Sequence, residues 1–362
     1  MAALGEQTDD GRAPLVADAA QHARHRARLV RGRRDDVEVL GLVSGHECAF
    51  FRTLGGLSDH QDMHTIELGR VSVTRIPHFD NWPLSPAEFF PGSEPGLWPA
   101  NRSWLAPAHW DAAADRVRVA VQTWLLRSAG RTIVIDTGLG DGTVRPGVPS
   151  GTPLPDALAA AGVTPADVDL VICTHLHADH VGWNTRLDEG GEWAPMFPNA
   201  RYLFSRPDLD FFDPRTLTEE PGRSAAVHAV SIEPILRAGQ AQVWDDAYTI
   251  DENLRLSLAP GHTPGHGVLT LESGDDRAVF VGDLLHAPVQ VLAPDASSCF
   301  CHDPVGAARS RRSMLEWAAD HNALVVPAHF GGARAVEVGR DGSRFAIRRW
   351  AGFSDELHSS GR

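Results

Sequence analysis

The sequence predicts an α/β protein with two sheets covered by helices on their outer faces, an αββα sandwich. Three observations point there. Strand and helix signals alternate from Ile66 onward, the strand signals come in runs that helices interrupt, and several short apolar runs end directly in polar or turn-forming residues.

Taken in order, "ELGRVSVTRI" and "VRVAVQTWLL" show the alternation or β-branched enrichment of strands, and "RTIVIDTG" is a short apolar run ending in a turn. "PLPDALAAAG" predicts a helix and "TPADVD" a second, capped helical turn. "LVICTH" reads as a buried strand and "RYLFS" as another, with a helix expected over 225–238. Three strand-like runs follow, "LRLSLAPG", "GVLTLES" and "RAVFVGD", separated by turn residues. "DPVGAARSRRSMLEWAADH" has the pattern of a long amphipathic helix and leads into the strand "ALVVPAH". "RAVEVGRDGSRFAIRRW" predicts a hairpin turning at Asp341-Gly342.

Between the first two strands lies a Pro-rich loop with six large aromatics, Trp82, Phe89, Phe90, Trp98, Trp104 and Trp110. A loop this long and aromatic is seldom a linker. It packs onto the core, forms a homodimer contact, or walls a substrate pocket; for the last, Trp82, Trp98 and Trp104 are the candidates.

Residues 1–62 read differently. "QHARHRARLVRGRRDD" is a basic run with little apolar periodicity, expected as a solvated arm ahead of a folded domain over 63–350 and a tail over 351–362. No apolar run approaches the roughly 20 residues that span a bilayer, and the N-terminus lacks a signal-peptide pattern. Four cysteines in 362 residues do not make a disulfide framework, so a cytoplasmic, reduced protein is expected. A net charge of −14 argues against nucleic acid as a partner and leaves a small-molecule substrate. All 33 basic residues are arginine, which excludes Schiff-base or lysine-base chemistry.

The chemistry concentrates in "CTHLHADHVGWN". Residues two apart in an extended segment project to one side, so His175 and His177 can converge on one point. Asp179 and His180 follow where a helix can begin and can face a second point, a spacing that suits two adjacent metals. Later strands end in further ligand types: His262 and His266 in "APGHTPGH", Asp283 in "VFVGDLLH" and His329 in "VVPAHF". With two oxygens, Asp283 could touch both metals.

"THLHADH", "GHTPGH", "GD" and "PAH", together with "IDTG", resemble the metallo-β-lactamase superfamily over roughly residues 66 to 350. The resemblance implies that sandwich fold, with His175, His177 and His262 on one metal, Asp179, His180 and His329 on the other, and Asp283 bridging. It places Asp136 and His266 behind the ligands. It implies a dinuclear hydrolase in which two divalent ions, zinc by default and Mn, Fe or Co as alternatives, share an activated water that Asp179 orients. "FPNARYLFSRPDLDFF", "GDLLHAPVQ" and "PAHF" resemble the quorum-sensing lactonase and methyl parathion hydrolase branch, which implies cleavage of a lactone or ester. Other readings are a thioesterase or cyclase, an organophosphate or aryl ester hydrolase, and an iron-dependent oxidoreductase. Lactonases of that branch carry a substrate-contacting tyrosine where this chain has His286, whose imidazole can donate the same hydrogen bond or protonate a leaving alkoxide. "SSCFCHDP" places Cys299 and Cys301 in a loop expected near the pocket mouth, and Cys173 is expected in the core.

Overall fold

Alternation within the strands decides the layering. In the run Arg131–Ile135, Ile133 and Ile135 join one apolar cluster while Val134, between them, joins another. Leu170 and Ile172 likewise oppose Val171, and Ala278 and Phe280 oppose Val279 and Val281. Each such strand therefore buries both faces, one against the other sheet and one against helices.

The computed structural model describes residues 65–81, 84–141, 151–215, 225–332 and 334–351. The arm expected over 1–62, Trp82 and nearly all of the expected tail lie outside the described residues. One seven-stranded sheet runs from edge to edge through Thr65–Leu68, Val71–Asn81, Val119–Ser128, Arg131–Ile135, Leu170–Ile172, Arg201–Ser205 and Ala241–Trp244. The other, also seven-stranded, runs through Ala247–Thr249, Leu254–Leu258, Gly267–Ser273, Asp276–Gly282, Leu324–Pro327, Val336–Asp341 and Arg344–Trp350. The cluster between them draws on both sheets, including Val73, Trp124, Ile133, Leu256, Leu269, Phe280 and Val326. Leu154 and Leu158 cover the outside of the first sheet, and Met314, Leu315 and Ala318 cover the outside of the second. The helix–sheet–sheet–helix order is the expected sandwich.

Parallel pairing aligns the strand ends that matter. Arg131–Ile135 runs parallel to Leu170–Ile172, and Asp276–Gly282 runs parallel to Leu324–Pro327. A parallel pair needs a crossover, and the helix Pro304–His321, capped by Asp303, supplies the second one. The C-terminal ends of these strands therefore lead into Asp136, His175, Asp283 and His329.

Several local expectations shift. "ELGRVSVTRI" is two strands folded at Gly69-Arg70, where Gly69 has φ of 59°. "VRVAVQTWLL" breaks at Arg118, because Arg116–Val117 pairs with Trp110–Asp111 in a small separate sheet. The final hairpin turns one residue later than expected, at Gly342-Ser343, since Asp341 still pairs with Arg344. The short edge strands Ala241–Trp244 and Ala247–Thr249 carry too little apolar signal to be read from sequence. Among the described residues no helix is long and apolar enough to cross a membrane.

Candidate metal centre

"THLHADH" leaves its strand as an extended turn and enters the short helix Ala178–Val181 at His177. That helix is held from behind: Thr137 N donates to His180 O at 2.7 Å and Gly182 N to Gly138 O at 2.7 Å. A Cβ on Gly182 would stand 2.1 Å from the Leu139 carbonyl carbon, so the two segments approach as only glycine permits.

The side chains gather into two groups. Ligand atoms of His175, His177, His262 and Asp283 form one, and those of Asp179, His180 and His329 the other. In the first, His177 Nδ1 lies 3.0 Å from both His175 Nε2 and His262 Nε2, which are 3.2 Å apart. Nitrogens about 2.0–2.1 Å from a shared tetrahedral cation stand about 3.3 Å apart, close to this triangle. Asp283 spans the groups. Its Oδ1 lies 2.9 Å from His329 Nε2 and 3.2 Å from His180 Nε2, while its Oδ2 lies 3.3 Å from His262 Nε2 and 3.7 Å from His175 Nε2. Asp179 Oδ2 lies 3.6 Å from His329 Nε2 and 3.7 Å from His180 Nε2.

Buried His180 Nε2 and Asp283 Oδ1 have no hydrogen-bond partner, an arrangement that costs energy unless a cation completes it. The electrostatics agree. Burial opposes charge on His180, yet Asp283, Asp136 and Asp179 together hold its pKa well above the usual imidazole range. Burial likewise opposes charge on His329, and Asp283 outweighs it. The carboxylates thus favour positive charge at this point. Burial holds His175 and His262 far below the usual range, in the neutral form that can ligate. The residues present fit two adjacent cations.

Groups behind the ligands set their tautomers. Asp136, with φ of 55° at the end of its strand, accepts from Thr174 N and Thr174 Oγ1 at 2.8 Å each and lies 2.8 Å from His180 Nδ1. His329 Nδ1 lies 2.7 Å from Ala120 O, and His175 Nδ1 lies 3.1 Å from Thr174 Oγ1. His266 Nε2 accepts from Asp283 N at 3.0 Å, so it positions the carboxylate's backbone.

His286 Nε2 lies 3.2 Å from Asp283 Oδ2, and neither ring nitrogen is aligned for a hydrogen bond. Its ring lies parallel to that of His329 at 5.5 Å and meets the edge of Phe89 at 5.5 Å. Phe300, 40% exposed, packs on Phe89 at 5.4 Å. Among the described residues, Phe89 is the aromatic by which the long loop reaches the site. Trp98 instead packs on Phe90 and Trp110 within a satellite cluster, and Trp104 bonds Asn101 and faces Trp350. Both expected wall residues are taken up elsewhere, Trp98 within the loop's own cluster and Trp104 against Trp350 of the second sheet's edge strand. Cys299 borders the same satellite cluster, Cys301 Sγ lies 3.7 Å from His262 Nδ1, and Cys173 is core.

Two positioning residues escape sequence reading. Asp208 sits at the third position of a helix capped by Ser205, where its carboxylate would be expected to turn back on the cap. Instead it accepts from Leu176 N at 3.2 Å, Thr263 Oγ1 at 2.9 Å and Gly265 N at 2.6 Å, clamping the two loops that carry His175, His177 and His262. Burial pushes its carboxyl up to about 6. Arg311, fully buried on the long helix, donates from Nε to Leu284 O and ties that helix to the Asp283 loop.

Residues 116–329 match the sequence model of the family described as the metallo-beta-lactamase superfamily. The chain is 27% identical over 175 residues to an N-acyl homoserine lactonase, AttM, of Rhizobium radiobacter, covering 48% of this chain and 62% of that one. It is 27% identical over 173 residues to the acyl-coenzyme A thioesterase MBLAC2 of Gallus gallus, covering 45% of this chain and 57% of that one. These matches span less than two thirds of either relative. The fold superposes on the dizinc quorum-quenching lactonase AidC with a TM-score of 0.64 at 23% identity, covering 79% of this chain and 96% of that one.

Proposed function

From the premise that this chain belongs to the metallo-β-lactamase superfamily, we propose that it is a dinuclear metal-dependent hydrolase that cleaves a lactone or ester of a small, largely apolar substrate. The single observation that carries this reading is the Asp283 carboxylate, whose two oxygens face two separate ligand groups. His175, His177 and His262 would hold one divalent cation and Asp179, His180 and His329 a second, zinc foremost, with Asp283 between them. Bound there, the pair would supply a water-derived nucleophile near neutral pH and Lewis-acid polarisation of the attacked carbonyl.

The chain's own residues do the rest. Asp179 and His177 are half-buried while the other five ligand candidates are buried, and the Asp179 carboxylate stands at the open side of the His180–His329 group. There it accepts a proton from the attacking water and holds that water in line. His286, buried and with both ring nitrogens uncommitted, donates from Nε2 to the carbonyl oxygen of the substrate or protonates the departing alkoxide. Phe300 is exposed, stands beside that imidazole on the buried Phe89, and offers the acyl portion an apolar surface while thinning water around the reacting carbon.

The lactone reading draws support from the likeness to AttM and from the fold shared with AidC. The likeness to a thioesterase favours a second reading, hydrolysis of an acyl thioester at the same centre. The discriminating experiment is a panel of lactones, aryl esters, acyl thioesters and phosphotriesters against metal-replete protein, with metal content measured in parallel. A lactone or oxygen ester should lead. Thioesters leading by tenfold would replace this reading with the second, and redox-active iron with oxygen consumption would remove both.

A further inference from the structure

Three imidazoles turn Nε2 towards the centre and are backed at Nδ1 by oxygen: Thr174 Oγ1 behind His175, Asp136 Oδ2 behind His180 and Ala120 O behind His329. Behind the fourth, His262, stands sulfur, with Cys301 Sγ 3.7 Å from Nδ1. Sulfur is larger than oxygen, so an N–H···S contact is naturally longer than the 2.7–3.2 Å of N–H···O.

The contact is built rather than incidental. Past the thiol the chain runs along the ligand's own backbone: His302 N donates to His262 O at 2.9 Å and Asp303 N to Gly261 O at 2.8 Å. Cys301 N donates to Ser298 O at 3.1 Å, and Ser298 Oγ lies 3.5 Å from the sulfur. The fully buried guanidinium of Arg311, anchored on Leu284 O and Pro294 O, adds positive charge beside the thiol. The imidazole ring separates the sulfur from His262 Nε2, so Cys301 is not placed as a ligand. A ligating sulfur would stand about 2.3 Å from a cation.

We infer that Cys301 is a positioning residue for His262. Its sulfur accepts a hydrogen bond from Nδ1–H, which leaves the Nε2 lone pair directed at His177 and His175 and fixes the plane of the ring. "SSCFCHDP" then has two functions: Phe300 stands beside His286 and Cys301 supports a ligand. This inference rests on the dinuclear reading of the site.

The test uses full-length protein stripped by chelator and titrated with zinc, or with cobalt to follow ligand-field absorption, in wild type, Cys301→Ser and Cys301→Val. Wild type should take up two equivalents. Serine keeps an acceptor and should hold both cations within a few-fold of wild-type affinity. Valine keeps the volume without the acceptor and should lose about 10–100-fold in affinity for one of the two, with a changed cobalt spectrum. Wild-type affinities and spectrum in the valine variant would overturn the inference, as would equal losses in serine and valine. Should valine lower the melting temperature of the metal-free protein more than serine does, Cys301→Ala, which cannot overpack, replaces it in the same comparison. Failure of wild type to bind two equivalents would instead overturn the dinuclear reading itself.

Discussion

Asp136 Oδ2 lies 2.8 Å from His180 Nδ1, and both side chains are buried. The carboxylate also accepts from Thr174 N and Thr174 Oγ1, so three donors converge on it. Asp136→Asn keeps the shape but turns an amide NH2 towards groups that also donate. Metal affinity should fall by about 10–100-fold, read by chelator competition, with Asp283 and the histidines intact. Unchanged affinity would reduce Asp136 to a turn residue.

His286→Phe preserves the ring that packs on Phe89 and removes both nitrogens. Turnover on the best substrate should drop by about 10²–10⁴-fold while two metals remain bound by elemental analysis. Unchanged turnover would make His286 a lining residue only.

Gly282 has φ of 48°, and a Cβ there would stand 2.7 Å from His266 Nε2 and 2.9 Å from Thr174 Oγ1. Gly282→Ala must shift the residue that presents Asp283. A loss of about 1–3 kcal/mol in unfolding free energy is expected, accompanied by weaker metal binding. A denaturant midpoint equal to that of wild type would contradict this close packing.

Two buried histidines away from the ligands add to acid sensitivity. Burial pushes His78 down to about 4 and, aided by Arg334 and Arg118, pushes His109 down to about 3. Unfolded histidine titrates near about 6.5, so below that pH the unfolded chain binds more protons than the folded one. The stability that the two neutral rings contribute is therefore complete above about 6.5 and falls as pH drops towards the folded values. At pH 5.5 each ring should have lost about 1.4 kcal/mol relative to pH 7.5. His78→Gln, which can still bond Thr123 and Thr152, should lose correspondingly less between those pH values in urea unfolding. An equal loss would show that His78 is not the group titrating.

Much of this architecture is legible from local pattern. The strand "LVICTH", the capped turn at Thr164 and the long helix starting after Asp303 all appear where the sequence puts them. The ligand candidates were readable because each follows an apolar run that leaves a polar side chain nowhere to go but the rim. Asp208 was not readable, since its partners lie on two other loops and its local signal is that of an ordinary helix start. Trp98 and Trp104 misled for a related reason: aromatic content marks burial but not direction.

The sequence alone determined the set of ligand types, the layered class of fold and the edge of the sheets where the ligands gather, because alternation and strand ends are short-range features. Tertiary structure decided which atoms meet. That Asp283 turns one oxygen to each group, that Phe89 reaches His286, and that a thiol backs His262 all depend on contacts between distant segments. His329 meets the Ala120 carbonyl across 209 positions of chain, a pairing that only the packing of the two sheets can bring about.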